Sequence, residues 1–203
     1  MSFGVGSLGR TQGSDSMSKN LLIFKGSPRE KGNSTILADQ VAAGATQAGA
    51  QVEVIRLGDL KIGPCTACEA CHEPDGTPCI YDDDMQLLYP KLKAADAIVL
   101  ASPVYYFTFS AQTKLLIDRW YALESKQGSA LRGKPFGIVL TYGDSDEYTS
   151  GAINAIHTFQ SIFNYMKSPI VGIVHGSASD EGDVLKKPEL MEAAYQLGQQ
   201  MAA

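Results

Sequence analysis

The stretch Leu21-Leu22-Ile23-Phe24, followed after one lysine by Gly26-Ser27-Pro28, decides the fold class of this chain. A short unbroken apolar run that stops at a loop containing glycine and proline predicts a strand with both faces buried. Four further runs predict strands: an alternating one at 51–57 and continuous ones at 97–101, 136–140 and 170–174. A helical pattern follows each of these strands.

Five strands of this kind predict an α/β fold, because strands buried on both faces belong to a parallel sheet covered by helices. Right-handed crossovers and a reversal of winding beside the first strand give a flavodoxin-like three-layer sandwich, with a five-stranded parallel sheet of order 2-1-3-4-5. One helix opens at Asp82-Asp83-Asp84, where acidic side chains suit the helix N-terminus. Ligands of such sheets bind beyond the carboxyl ends of the strands, so we expect the site in the loops after strands one, three and four.

Composition limits the function classes. The chain has 203 residues, 44% of them hydrophobic and 19% charged, as in one ordinary globular domain. Its net charge of -5 predicts neither nucleic acid nor membrane among its partners. No apolar run approaches the roughly 20 residues of a membrane span, so we expect a cytoplasmic location. Residues 1–18, rich in glycine and serine, predict a disordered leader or a remnant of recombinant expression, and residues 19–203 predict the folded domain.

The loop from Gly26 to Thr35 follows the first strand and predicts an anion site. Small residues, hydroxyls and a helix N-terminus place unpaired backbone N–H groups toward a ligand. The spacing is not that of an ATP-binding P-loop, since Asn33 stands where that motif has lysine, and the dinucleotide fingerprint is absent. A mononucleotide phosphate is therefore the favoured ligand. The alternative is an ordinary strand-to-helix turn with capping residues.

The loop after the third strand, 102–108, carries three consecutive aromatic residues: Tyr105, Tyr106 and Phe107. They exceed what the core needs and could cover a flat ring system. An apolar patch at a subunit interface is the alternative, compatible with the first. After the fourth strand, a polar turn could supply backbone N–H donors to the same ring; it consists of Thr141, Tyr142 and Gly143.

All four cysteines lie in the loop 64–80, as Cys65, Cys68, Cys71 and Cys79. In a reducing compartment such clustering indicates metal or redox chemistry rather than a disulfide framework. The C-x2-C-x2-C run can reach three corners of an iron-sulfur cubane, and a fourth thiolate arrives from the end of the loop. Zinc held by four thiolates, or a loop with no metal, are the alternatives. No histidine has a serine or cysteine partner typical of a triad, so no catalytic acid or base is assigned.

Two separated motifs resemble a known family. They are Gly26-Ser27-Pro28-Arg29 with Gly32-Asn33-Ser34, and Ser102-Pro103-Val104-Tyr105 running on to 110–119. Over about residues 20–200 the chain looks like the NADPH-dependent FMN reductases, and its cysteine pattern resembles their iron-sulfur flavoprotein branch. The resemblance implies that FMN phosphate is held by Ser27, Arg29, Asn33, Ser34 and Thr35, and that the flavin is lined by Pro103, Val104, Tyr105, Tyr106 and Phe107. It implies a structural role for Lys114, Asp118 and Arg119.

We therefore expect an FMN-dependent oxidoreductase that passes electrons between NAD(P)H or a ferredoxin and a small acceptor, with a [4Fe-4S] cluster on the four cysteines as relay. A quinone or nitro-group reductase without a cluster, a non-enzymatic electron carrier of the flavodoxin kind, and a zinc-stabilised binding module are the alternatives. One flavin face cannot cover all three aromatic residues. We accordingly predict a homodimer or homotetramer with the flavin loop and the cysteine loop near an interface.

Overall fold

The computed structural model describes residues 18–73 and 79–203. Most of the predicted leader, and residues 74–78 of the cysteine loop, lie outside this part of the chain. The strands are β1 (Asn20–Lys25), β2 (Gln51–Arg56), β3 (Ala97–Tyr105), β4 (Thr108–Phe109), β5 (Phe136–Tyr142) and β6 (Ile170–Ser177). The α-helices are α1 (Asn33–Gln47), α2 (Met85–Ala94), α3 (Ala111–Asp118), α4 (Ala152–Met166) and α5 (Pro188–Ala202). Short 3-10 turns lie at Leu57–Asp59, Ala70–His72, Arg119–Leu123 and Asp183–Lys186.

The five long strands form a parallel sheet in the order β2-β1-β3-β5-β6. This is the predicted order 2-1-3-4-5, with one short strand added. That strand, β4, pairs antiparallel with the end of β3, where Val104 faces Phe109 and Tyr105 faces Thr108. A two-residue strand has no periodicity to detect, so the sequence did not reveal it. Pro103, Val104 and Tyr105 therefore lie in a strand and not, as expected, in a loop.

Alternate residues of the central strands enter two separate cores. Leu22 and Phe24 of β1 join the core under α2, α3 and α4, whereas Leu21 and Ile23 join the core under α1 and α5. All four side chains are buried. Burying a side chain of this size contributes about 1.5–3 kcal/mol, so both faces of the strand hold the layers together. The helices thus cover both faces of the sheet, as a three-layer sandwich requires.

This arrangement leaves the carboxyl edge of the sheet for a site, because the loops after β1, β3 and β5 emerge there side by side. In the part of the chain that the structure describes, none of the helices is long and apolar enough to cross a membrane.

Candidate functional site

A cavity of about 250 Å³ opens where the loops after β1, β3 and β5 meet. It brings together ten of the thirteen residues predicted to bind the cofactor: Ser27, Arg29, Asn33, Ser34, Pro103, Val104, Tyr105, Thr141, Tyr142 and Gly143. The other three, Thr35, Tyr106 and Phe107, are not among its lining residues. Gly32, Ala178 and Ser179 also line it, and these three were not predicted to bind the cofactor.

The first turn of α1 is prepared for an anion. The Ser34 hydroxyl is buried, with 1% of the residue exposed, and has no hydrogen-bond partner among the described residues. The helix begins after Gly32 without a side-chain cap, which leaves its first N–H groups to an external acceptor. Ser27 accepts a hydrogen bond from the backbone N–H of Arg29 at 3.1 Å, and its own hydroxyl proton remains able to donate. Donors therefore converge on this end of the cavity.

The Asn33 side chain makes three hydrogen bonds that its motif did not predict. Its side-chain amide donates to the carbonyl oxygens of Ala178 at 3.0 Å and Asp180 at 2.8 Å, and its oxygen accepts from the N–H of Val184 at 3.1 Å. These bonds tie the start of α1 to the loop after β6. The Thr35 hydroxyl similarly donates to the carbonyl oxygen of Arg29 at 3.3 Å. Both side chains are engaged in shaping the loop, so their contact with phosphate stays a prediction.

The aromatic residues are divided between the cavity and its outer rim. Tyr105 lines the cavity, whereas Tyr106 and Phe107 form the two-residue turn between β3 and β4 and line neighbouring grooves. Their φ angles are 45° and 67°, in the left-handed region that such a tight hairpin normally fills with Asn-Gly. Tyr106 is 98% exposed. The hairpin therefore displays Tyr106 to solvent on a backbone conformation that tyrosine rarely adopts.

The rim on the β5 side is ordered by Asp146. Its carboxylate accepts hydrogen bonds at 2.9 Å from the backbone N–H groups of Tyr148 and Thr149. These bonds, with those from the Ser145 and Thr149 hydroxyls, lower the pKa of Asp146 to about 2. Nearby, the buried Tyr142 hydroxyl lies 3.2 Å from Nδ1 of His175, and burial raises the pKa of Tyr142.

The four cysteines line a second, smaller cavity. Two residues between them, Ala67 and Glu69, have φ angles of 52° and 61°, so the backbone curls twice in the left-handed sense within the C-x2-C-x2-C run. Burial raises the pKa of Cys71, and the charges of Cys79, Cys68 and Cys65 raise it further. All four cysteines therefore face one small cavity.

The cysteine cavity is not the preformed site of a single ion. Across residues 18–73 and 79–203, no three His, Cys, Asp or Glu side chains are arranged to hold a metal ion. Four-thiolate zinc needs all its sulfur atoms about 2.3 Å from one centre. In a cubane each cysteine binds a different iron atom, so the thiolates surround a group rather than a point. Four cysteines sharing one cavity match that donor set in number and chemistry.

Arg119 was predicted to be structural, but its partners were not predicted. Adjacent residues diverge here: Asp118 pairs with Lys114 on the surface, whereas Arg119 is buried and donates to the sulfur of Cys79 at 3.3 Å. Asp83, predicted only to suit a helix N-terminus, is the ion-pair partner of Arg119. No local pattern could reveal contacts across 36 and 40 positions of sequence.

Comparison with known proteins identifies the family. The chain matches the sequence profile of the NADPH-dependent FMN reductases over residues 20–179. The chain belongs to this family. The resemblance of its motifs is thereby confirmed, and the chain is an FMN-dependent NAD(P)H oxidoreductase that binds FMN.

Two related proteins and one solved structure extend the comparison. An iron-sulfur flavoprotein of Methanocaldococcus jannaschii is 37% identical over 136 residues, which cover 67% of this chain and 68% of that protein. One of Archaeoglobus fulgidus is 32% identical over 179 residues, covering 87% and 76% respectively. A solved NAD(P)H:quinone oxidoreductase from Methanothermobacter marburgensis has a TM-score of 0.70 at 16% identity, over 92% of this chain and 98% of that one. At this identity the likeness shows the fold alone, and it confirms the flavodoxin-like class.

Proposed function

We propose that FMN binds in the cavity at the carboxyl edge of the sheet, with its phosphate at the start of α1 and its ring against Tyr105 and the turn 141–143. The observation that carries this placement is the buried, unpartnered hydroxyl of Ser34 at an uncapped helix N-terminus. Arg29 lines the same cavity and adds the positive charge that a phosphate attracts. When bound, FMN supplies both hydride and one-electron chemistry. The protein's own part is to anchor, orient and partly cover it.

Arg29 allows a direct test of the phosphate placement. Arg29→Ala should weaken FMN binding by roughly 10- to 100-fold, because a hydrogen bond to a charged group contributes about 1.5–3 kcal/mol. Riboflavin lacks the phosphate, so its affinity should be nearly unchanged. Lys31→Ala removes a positive charge from the same loop outside the cavity lining and serves as the control. Equal losses for FMN and riboflavin in a fluorescence titration would contradict the placement.

We further propose that Cys65, Cys68, Cys71 and Cys79 hold one [4Fe-4S] cluster that exchanges electrons with FMN. Support comes from the cavity that the four cysteines share, from the preference of iron-sulfur clusters for cysteine thiolates, and from relatives described as iron-sulfur flavoproteins. Such a protein passes electrons from NAD(P)H or a ferredoxin to a small acceptor. Among the residues that the structure describes, this cavity is lined by the four cysteines and by one carboxylate, that of Glu69. A donor set made mostly of soft sulfur favours iron-sulfur chemistry over a harder metal.

Iron uptake tests the cluster. Anaerobic reconstitution with iron and sulfide should give about four irons per chain in the wild type. Cys71→Ser should lower the iron content markedly, whereas Thr66→Ser, in the same loop but without a thiolate to lose, should keep it. Wild-type iron content in Cys71→Ser, or stoichiometric zinc in preference to iron, would contradict the proposal. A protein that reduces quinones or nitro compounds with FMN but takes up no iron would instead fit the cluster-free alternative.

We also propose that the chain assembles into a homodimer or homotetramer. The hairpin displays Tyr106 and Phe107 beside an apolar groove that includes Phe109 and Leu115. A projecting aromatic tip and an apolar groove on one face can complement each other across a twofold axis. A solution mass measured at micromolar concentration should be that of two or four chains, and a strictly monomeric mass would overturn this part.

A further inference from the structure

One buried ion pair holds both ends of the cysteine loop. The guanidinium of Arg119, with 1% of the residue exposed, donates from Nη2 to Oδ1 of Asp83 at 3.0 Å and to Sγ of Cys79 at 3.3 Å. From Nη1 it donates to the carbonyl oxygen of Gly63 at 3.0 Å and to Oδ2 of Asp83. Cys79 is the last cysteine of the loop, and Gly63 lies two positions before the first.

Asp83 completes this clamp from the opposite side. Its Oδ2 accepts a hydrogen bond from the backbone N–H of Gly63 at 3.0 Å, so the peptide of Gly63 is bound through both its N–H and its C=O. Burial acts to raise the pKa of Asp83, but the hydrogen bonds from Arg119 and from backbone N–H groups outweigh it and hold the pKa below its ordinary value. Asp83 is therefore a carboxylate at neutral pH.

The middle of the loop rests on the same 3-10 turn, Arg119–Leu123. The hydroxyl of Tyr121 donates to the carboxylate of Glu69 at 2.9 Å. The ring of His72 packs on that of Tyr121 with centroids 4.5 Å apart, and its Nε2 lies 3.2 Å from the Tyr121 carbonyl oxygen. The turn that ends α3 thus supports the start, middle and end of the loop through two side chains, two positions apart.

The contact between Arg119 and Cys79 also has an electrostatic consequence. Hydrogen bonds to the sulfur ligands and the net charge nearby set the reduction potential of an iron-sulfur cluster. A buried cation that donates to a ligand sulfur favours the more negative, reduced form of the cluster and so raises the potential. The carboxylate of Asp83 acts in the opposite sense and limits the effect. The ring of Tyr81, 5.3 Å from the guanidinium carbon, covers the pair.

We propose that Arg119 is a positioning residue that brings Cys79 to the C-x2-C-x2-C run and raises the reduction potential of the cluster held there. The carboxylate of Asp83, its ion-pair partner, lowers that potential. This inference rests on the proposed cluster. Removal of Arg119 and removal of Asp83 should therefore shift the midpoint potential of the cluster in opposite directions. Two residues with only a structural role would not produce opposite shifts.

The test is a redox titration of reconstituted protein, followed by electron paramagnetic resonance. Arg119→Met should shift the midpoint potential of the cluster to more negative values, because it removes both the charge and the donor. Arg119→Lys keeps the charge and loses the two-pronged geometry, so its shift should have the same sign and be smaller. Asp83→Asn should shift the potential to more positive values. Asp118→Asn, in the adjacent surface pair, is the control and should leave the potential unchanged.

FMN content and iron content, measured on every variant, separate the possible failures. Loss of iron from Arg119→Met with FMN retained supports the positioning role. The shift in midpoint potential is then measured on iron-loaded Arg119→Lys. Unchanged potentials in iron-loaded Arg119 variants, or shifts of the same sign in Arg119→Lys and Asp83→Asn, would overturn this inference and leave the cluster standing. A wild type that takes up no iron would overturn the proposed cluster and this inference together.

Discussion

The hydroxyl of Ser110 donates a 2.7 Å hydrogen bond to the carbonyl oxygen of Gly26. Ser110 caps α3, where its oxygen also accepts from the N–H of Thr113 at 3.3 Å, and Gly26 opens the anion loop. The N–H of Gly26 donates in turn to the carbonyl oxygen of Ala101 at 2.7 Å. The phosphate-binding end and the aromatic end of the proposed flavin cavity are therefore one hydrogen-bonded unit.

Gly26→Ala should break this unit. A Cβ atom at position 26 would lie 2.0 Å from the Thr113 hydroxyl oxygen and 3.0 Å from that of Ser110, so the loop and α3 must move apart. We expect a loss of about 1–3 kcal/mol in the free energy of unfolding, as for other overpacked sites, together with weaker FMN binding. Urea unfolding and FMN titration measure the two effects.

Gly58→Ala is the matched control for that substitution. Its nearest neighbours would be 3.8 Å from the new Cβ, an ordinary contact distance. Its stability should stay within about 0.5 kcal/mol of the wild type. Equal behaviour of the two variants would show that the close approach at Gly26 is not what couples the loops.

Tyr106→Asn should stabilise the FMN-free protein. The φ angle of Tyr106 is 45°, a conformation that asparagine adopts more readily than tyrosine, and the 98% exposed side chain gives up almost no packing. We expect a gain of about 1 kcal/mol in urea unfolding at a protein concentration low enough to dissociate the assembly, and a weaker assembly in sedimentation at micromolar concentration. Tyr165→Asn, exposed on α4 with helical backbone, should give no gain. A less stable Tyr106 variant would argue against strain in the hairpin.

The stabilisation from Asp146 should depend on pH with a definite sign. Its pKa falls from an ordinary value of 3.8 to about 2 in the folded protein, chiefly through hydrogen bonds from Thr149. The stabilisation is therefore complete above about pH 4 and is lost as the pH falls toward 2. The stability difference between wild type and Asp146→Ala should narrow over this range in FMN-free thermal melts.

Asp144→Ala, two residues earlier in the same loop, controls for the loss of a negative charge. A stability difference between wild type and Asp146→Ala that stayed constant from about pH 6 to about pH 2 would contradict this prediction. It would show that the ionised carboxylate does not order the loop.

The sequence predicted the sheet because each long strand carries its own signal. β1 and β5 are apolar on both faces, and the connections between parallel strands leave few possible orders. β4 has two residues and exists because the turn at Tyr106 and Phe107 folds back on β3. Its formation depends on the hairpin as a whole, which no residue pattern in that stretch indicated.

The candidate site was predictable in position and less so in detail. Topology alone brings the loops after β1, β3 and β5 together, so Ser34 and Tyr105 line one cavity as the sequence reading required. Which groups are still unpaired there depends on the far end of the chain, where Ala178 and Val184 engage the Asn33 side chain. The pairing of Arg119 with Cys79 likewise arises only from packing between distant elements.

In the proposed protein, one chain holds both FMN and a cluster on its four cysteines. The most direct measurement is an anaerobic coulometric titration of the reconstituted, FMN-loaded protein. FMN accepts two electrons and a [4Fe-4S] cluster one, so we expect about three electrons per chain for the wild type and about two for Cys71→Ser. An uptake of about two electrons by both proteins would contradict it.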